Sequence, residues 1–132
     1  MRDIIFRGKR TYNGKWVVGS LLVWPDGSTE MCRTNPNDSE ELLKSIVRPE
    51  TVGQFTGLTD KNGKKIFEGD IARVRFIDDE DLCVVTFEHG SFYLSSINGA
   101  IRDEILWNAW YSDATIEVVG NIYDNIELLE GD

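Results

Sequence analysis

The chain has 132 residues, 41% of them apolar, with four tryptophans and a formal net charge of −9 at pH 7. That length and core-forming content favour a single folded domain needing neither disulfide nor metal, and they exclude a disordered chain. The acidic balance repels phosphate and so disfavours nucleic acid and anionic membranes; two cysteines are too few for a disulfide framework, and no stretch is long enough to span a bilayer.

The opening "MRDIIFRGKR" is β-permissive and lacks a long apolar run before a cleavage site. The expectation is therefore a cytoplasmic protein without a leader, its Cys32 and Cys83 reduced and packed as small hydrophobes. The first fifteen residues balance to +4, through Arg2, Arg7, Lys9, Arg10 and Lys15 against Asp3, so the rest of the chain carries −13. Next, Trp16, Val18, Leu22 and Trp24 fall on alternate positions and "PDG" marks a tight turn. This predicts a hairpin with strands near 15–24 and 28–33, with Gly19 marking a bulge or a close backbone approach. "NPNDSEELLK" breaks the β pattern; Asp38 followed by Glu41 fits a capping box and predicts a short helix near 39–45, with a polar loop as the alternative.

"QFTGLTDKNGKKIFEG" reads as a second hairpin. Asn62-Gly63 forms its turn, and Phe55, Leu58, Ile66 and Phe67 supply apolar contacts. "IARVRFI" follows as a strand, then the acidic run Asp78 to Asp81, read as a solvated loop. "LCVVTFE" and "SFYLSSI" make a third hairpin around His89-Gly90. Ile101, Ile105, Leu106 and Trp110 have helical spacing, "TIEVVG" is a strand, and the tail from 121 to 132 reads as a helical turn with Ile122, Tyr123, Leu128 and Leu129 packing inward. Trp16, Phe55, Val74, Phe87 and Val118 are expected to be mostly buried. Many short strands at regular spacing predict a small barrel or two packed sheets.

Reactive chemistry is sparse. His89 is the sole histidine, at a hairpin tip, where exposure is expected and catalysis would need an orienting partner and a nucleophile. A zinc site would need Cys83, His89, Cys32 and a carboxylate to converge, and the spacing does not announce it. The acidic run lacks the alternating ligands and glycine of a calcium loop. Glu68 and Asp70, flanking Gly69, suit a turn bond better than a general acid–base pair. The four tryptophans could line a groove, but two or three of them are expected in the core.

"MRDIIFRGKRTYNGKWVVGSLL", "ETVGQFTGLTDKNGKKIFEGDIARV" and "EVVGNIYDNIELL" resemble the YopX family of phage and prophage proteins. The three blocks cover about half the chain. Where the family carries proline after "YDN", this chain has Ile126, which leaves the local turn open. The resemblance implies a β-rich fold with an SH3-like barrel in its C-terminal part and a tendency to ring-like homo-oligomers; for a phage protein, the cytoplasm expected above is that of the bacterial host. It brings no catalytic residues. The fold expectation is thus mainly β: a small SH3-like β-barrel over 51–132, N-terminal β-hairpin elements and a loop over 1–50, and short helical turns.

The function expected is a non-enzymatic phage accessory protein that self-assembles and binds a host or phage protein, without cofactor or metal. Arg2, Arg7, Lys9 and Arg10 are its candidate subunit or nucleic-acid contacts. The alternative is a single-strand-binding module whose basic starts are gathered by oligomerisation, with Arg7, Arg10, Arg73 and Arg75 as a basic patch.

Overall fold

The computed structural model describes residues 2–130. The chain is mainly β, with antiparallel sheets, and it divides into two compact units, Met1–Phe55 and Thr56–Asp132.

In the first unit, β1 (Phe6–Lys9), β2 (Trp16–Val23), β3 (Thr29–Asn35), β4 (Asp38–Ile46) and the start of β5 (Gly53–Thr59) lie in the order β4-β3-β2-β1-β5. The N-terminal strand is internal: it pairs with β2 on one side and β5 on the other. Its cations thus sit on a strand paired along both sides within its own chain. The core is small, with Val17, Met31 and Val47 buried and Phe6, Leu21 and Val52 packed around them.

The β2 face is the reverse of the one the tryptophan spacing suggests. Val17 is buried, whereas Trp16 is half-buried and Val18, Leu22 and Trp24 are exposed. Alternation establishes two faces but does not say which one is covered. Gly19 does mark a close approach: a Cβ there would stand 2.4 Å from the Cys32 carbonyl oxygen.

The helix expected near 39–45 is a strand, β4, paired with β3 from Glu30↔Ile46 to Thr34↔Leu42. The capping residues serve a turn instead. The Asp38 carboxylate accepts the Glu40 N–H at 3.1 Å, and Asn35 Oδ1 accepts the Asn37 N–H at 2.9 Å. With β3 adjacent, ladder bonds replace those of a short and marginal helix.

The second unit holds the rest of β5 with β6 (Lys65–Phe67), and a sheet in the order β10-β9-β8-β7-β11. Its strands are β7 (Asp70–Arg75), β8 (Glu80–Glu88), β9 (Ser91–Ser96), β10 (Glu104–Ile105) and β11 (Thr115–Asn121). One short helix, α1 (Leu106–Tyr111), follows β10. The core joins Ile66, Ala72, Val74, Cys83, Val85, Leu94, Leu106, Ala109, Ile116 and Val118. Phe55 is buried in the first unit as expected. Phe87 is not buried. It lies on the same side of β8 as Cys83 and Val85 but beyond the end of the core, 45% exposed and edge-on to Phe92 at 5.0 Å.

The turns follow the sequence closely. Asp60 to Gly63 closes with the Gly63 N–H donating to the Asp60 carbonyl, and Gly63 takes φ +80°, while Asn62 stays at negative φ. His89 (φ +50°) and Gly90 (φ +82°) form the positive-φ pair of a type I′ hairpin. The tail turn forms without proline: Asn121 Oδ1 accepts the N–H groups of Tyr123 and Asp124, and Asn125 Oδ1 accepts that of Asn121. A 3-10 turn over Ile126–Glu130 follows, but Ile122, Tyr123, Leu128 and Leu129 are only half-buried. The last two residues of that expected turn, 131 and 132, lie outside the described residues.

Gly63→Val is expected to lower stability by about 1–2 kcal/mol or more, because a β-branched side chain is strained at positive φ. Urea denaturation checks this. An unchanged midpoint would contradict the turn geometry.

Candidate functional site

Three places where side chains gather could carry function. The first lies on α1. Leu106 and Ala109 point into the core, which turns Trp107, Trp110 and Tyr111 outward. Trp107 is 52% exposed and Tyr111 76%. The Trp107 ring stacks on Trp110 at 5.5 Å and tilts against Tyr111 at 5.4 Å. Trp110 is fixed by its indole N–H, which donates to the Thr59 carbonyl at 2.9 Å. A groove of about 320 Å³ lined by Leu58, Phe92, Ile105 and Trp107 runs on one side of this ledge. Another of about 240 Å³, lined by Asp60, Lys61, Trp110 and Ile116, lies on the other. Exposed aromatic side chains of this kind are what protein-binding surfaces use as anchors.

The tryptophan reading is thereby corrected. None of the four is buried; Trp16 is half-buried, and Trp24, Trp107 and Trp110 are exposed. The helical spacing at 101–110 was the signal for α1, but a helix of six residues hides only two of its side chains.

The second place is the basic start. Arg7 and Lys9 come together over the Trp16 ring, at 4.8 and 5.5 Å from its centroid, as cation–π partners. Arg10 turns elsewhere, its Nε–H donating to Ser45 Oγ at 3.1 Å. Arg2 is exposed ahead of β1. The other two arginines of the expected basic patch are neutralised by carboxylates: Arg73 by Glu117 at 3.2 Å and Arg75 by Glu80, with Nε at 2.8 Å. On the same side of β2–β4 as Trp16, Val18, Leu22, Leu42 and Ile46 are exposed.

The third place is where the acidic run ends. It is not wholly a solvated loop. Asp81 is the second residue of β8, on its core-facing side, and only 5% exposed. Its carboxylate accepts the N–H groups of Leu82, Asn98 and Ala100, the Asn98 side-chain amide and the Ser96 hydroxyl. Burial raises its pKa, but these donors outweigh burial and leave it below the usual carboxylate value. Asp60 behaves alike. Burial raises its pKa, and the N–H groups of Val118, Lys64 and Asn62, with the Lys64 charge, bring it below the ordinary value. Asp70 accepts the Phe67 N–H at 2.7 Å, the turn bond expected of the "EGD" stretch. These carboxylates are occupied by backbone and are poor candidates for acid–base work.

Cys83 is buried, and burial, with the charges of Asp81 and Asp103, pushes its thiol up to about 12, which makes it inert as a nucleophile. Among the described residues no three His, Cys, Asp or Glu side chains gather to hold a metal ion, and no helix is long and apolar enough to cross a membrane.

The chain matches the family model described as YopX protein over residues 5–130. It is 37% identical over 71 residues to "SPbeta prophage-derived uncharacterized protein YopX" of Bacillus subtilis (strain 168), an alignment covering 52% of this chain and 53% of that protein. The chain thus spans about half the length of the curated relative it matches. Its fold is similar to the crystal structure of protein yopX from Bacillus subtilis, with a TM-score of 0.66 and 22% identity, covering 100% of this chain and 99% of that one. It is also similar to protein EF1440 from Enterococcus faecalis, with a TM-score of 0.59 and 23% identity, covering 98% and 99%. At those identities the two crystal structures speak for the fold alone.

Proposed function

From the premise that this chain belongs to the YopX family of proteins, we propose that it is a phage or prophage accessory protein acting without catalysis, which binds another protein through the α1 ledge and assembles with copies of itself. The observation that carries the binding reading is the exposed stack of Trp107, Trp110 and Tyr111 between two grooves. The fitting occupant is an apolar segment bearing Lys or Arg. Its apolar side chains would fill the Leu58–Phe92 groove, its cations would lie on the aromatic rings, and the chain's net charge of −9 would steer it in. Self-assembly is supported by the exposed Val18, Leu22, Leu42 and Ile46 on one sheet face. We also read the second unit as a small SH3-like barrel, in a protein of the host cytoplasm. Closure is supported by the β5–β6 hairpin tip bonding β11, through Lys61 N–H to the Ile116 carbonyl and Val118 N–H to Asp60. The competing single-strand reading has Arg73 and Arg75 already engaged by glutamates.

The test compares capture of phage and host proteins from infected cells by the intact chain and by a Trp107→Ala, Tyr111→Ala variant. A partner held by the first and released by the second, at equal thermal midpoint, is the expected result. Equal capture by both sinks the ledge reading. Light scattering addresses assembly separately: a folded monomer at micromolar concentration ends that part.

A further inference from the structure

The core-facing side of the first unit's sheet does not stay apolar to its end. On β3, Met31 is buried, but two residues further on the same face stands Arg33, paired in register with Leu43. On β4, Ser45 opposes Met31, and its hydroxyl accepts the Nε–H of Arg10 at 3.1 Å. Arg10 opens the turn to Lys15, closed by its own N–H to the Lys15 carbonyl at 2.9 Å and by the Gly14 N–H to its carbonyl at 3.0 Å. This turn carries Tyr12, 81% exposed. Together Arg10, Thr11, Tyr12, Arg33, Lys44 and Ser45 line a cavity of about 450 Å³.

Two features separate this cavity from an ordinary solvated patch. No carboxylate lines it, in a chain with 23 acids against 14 cations. And whereas Arg73 and Arg75 have glutamate partners, no described carboxylate lies within ion-pair distance of Arg10 or Arg33. Cations left together without a counter-ion repel one another, a cost that an anion in the cavity removes. Arg10 is already held at its Nε, so its remaining N–H groups are oriented at little further entropic cost.

We propose that this cavity binds a small phosphorylated ligand of nucleotide size. Guanidinium groups match phosphate oxygens in pairs, and the Thr11 and Ser45 hydroxyls can donate to those that remain. Tyr12 offers a ring for a base or sugar to rest on. The volume is that of a small-molecule site. A long polyanion is disfavoured, because the acidic remainder of the chain repels successive phosphates while a single phosphate in the cavity meets no lining carboxylate.

The test is calorimetric titration of the full chain with adenosine monophosphate, inorganic phosphate and a single-stranded oligonucleotide lacking terminal phosphates. Adenosine monophosphate is expected to bind saturably, and Arg33→Gln to weaken it by at least about tenfold, as loss of a charge-assisted bond does. Arg33 is exposed, so that variant keeps its fold, which its thermal midpoint confirms. Tyr12→Ala is expected to weaken the nucleotide while leaving inorganic phosphate unchanged. No saturable binding of either small ligand at millimolar concentration overturns the proposal. So does binding indifferent to Arg33→Gln, or binding of the oligonucleotide alone.

Discussion

Asp81→Asn is expected to destabilise the protein by about 3–5 kcal/mol, although the two side chains are nearly identical in shape. The reason is donor geometry. The Asp81 carboxylate sits amid five donors, from Leu82, Ser96, Ala100 and both the backbone and side chain of Asn98. An ionised carboxylate only accepts, through two oxygens. An amide replaces one of those oxygens with NH2, which then faces N–H and O–H groups it cannot satisfy. Each buried donor so stranded costs roughly 1–3 kcal/mol. Beyond the end of β9, the loop from Ile97 to Ala100 is held to β8 by this side chain and by one backbone bond, from the Ile97 N–H to the Leu82 carbonyl. Amide hydrogen exchange at Asn98 and Ala100 should therefore accelerate in the variant, alongside a lower urea midpoint. A midpoint within about 0.5 kcal/mol of the parent, the spread of an ordinary surface substitution, would contradict this account.

Asp60→Ala comes next, also with about 3–5 kcal/mol expected. Here one carboxylate serves two elements. Oδ1 accepts from Asn62 and Lys64 within the hairpin turn, and Oδ2 accepts from Val118 on β11, all at 2.9 Å. Alanine removes the acceptor of all three N–H groups and leaves the Lys61 N–H to Ile116 carbonyl bond to hold the hairpin tip on β11.

Both carboxylates have folded pKa values below the ordinary 3.8. Below that value the unfolded chain binds more protons than the folded one, so stability decreases as the pH is lowered. Their contribution is complete above about pH 4 and is lost as the pH falls through the lowered values. Acid titration of unfolding should show this loss in the parent and a shallower one in either variant. An identical acid limb in all three proteins would place the sensitivity elsewhere.

Local chemistry was legible in the sequence. The hairpin turns at Asp60–Gly63 and His89–Gly90, the strands around them and the turn bond of Asp70 follow from glycine's access to positive φ and from the bonding of short acids to nearby N–H groups. The family blocks were legible for the same reason, since they are dense in such turns. Gly19 announced the close approach of Cys32.

What only the tertiary structure decided is which face, which partner and how deep. In β2 either face carries apolar residues, and packing against Met31 and Val47 selected Val17 over Trp16. Residues 38–46 could satisfy their backbone as a helix turn or as a strand, and the presence of β3 decided for the strand. Phe87 alternates correctly but overruns the core. Asp81 reads as one acid in a solvated run until a loop fifteen residues later supplies its donors. The candidate sites share that property. Trp107 is separated from Leu58 and Phe92 by dozens of residues or a strand, and Arg10 from Arg33 by a hairpin. Spacing along a chain reports period and turn. Convergence of distant side chains depends on strand order and register, which no local pattern encodes.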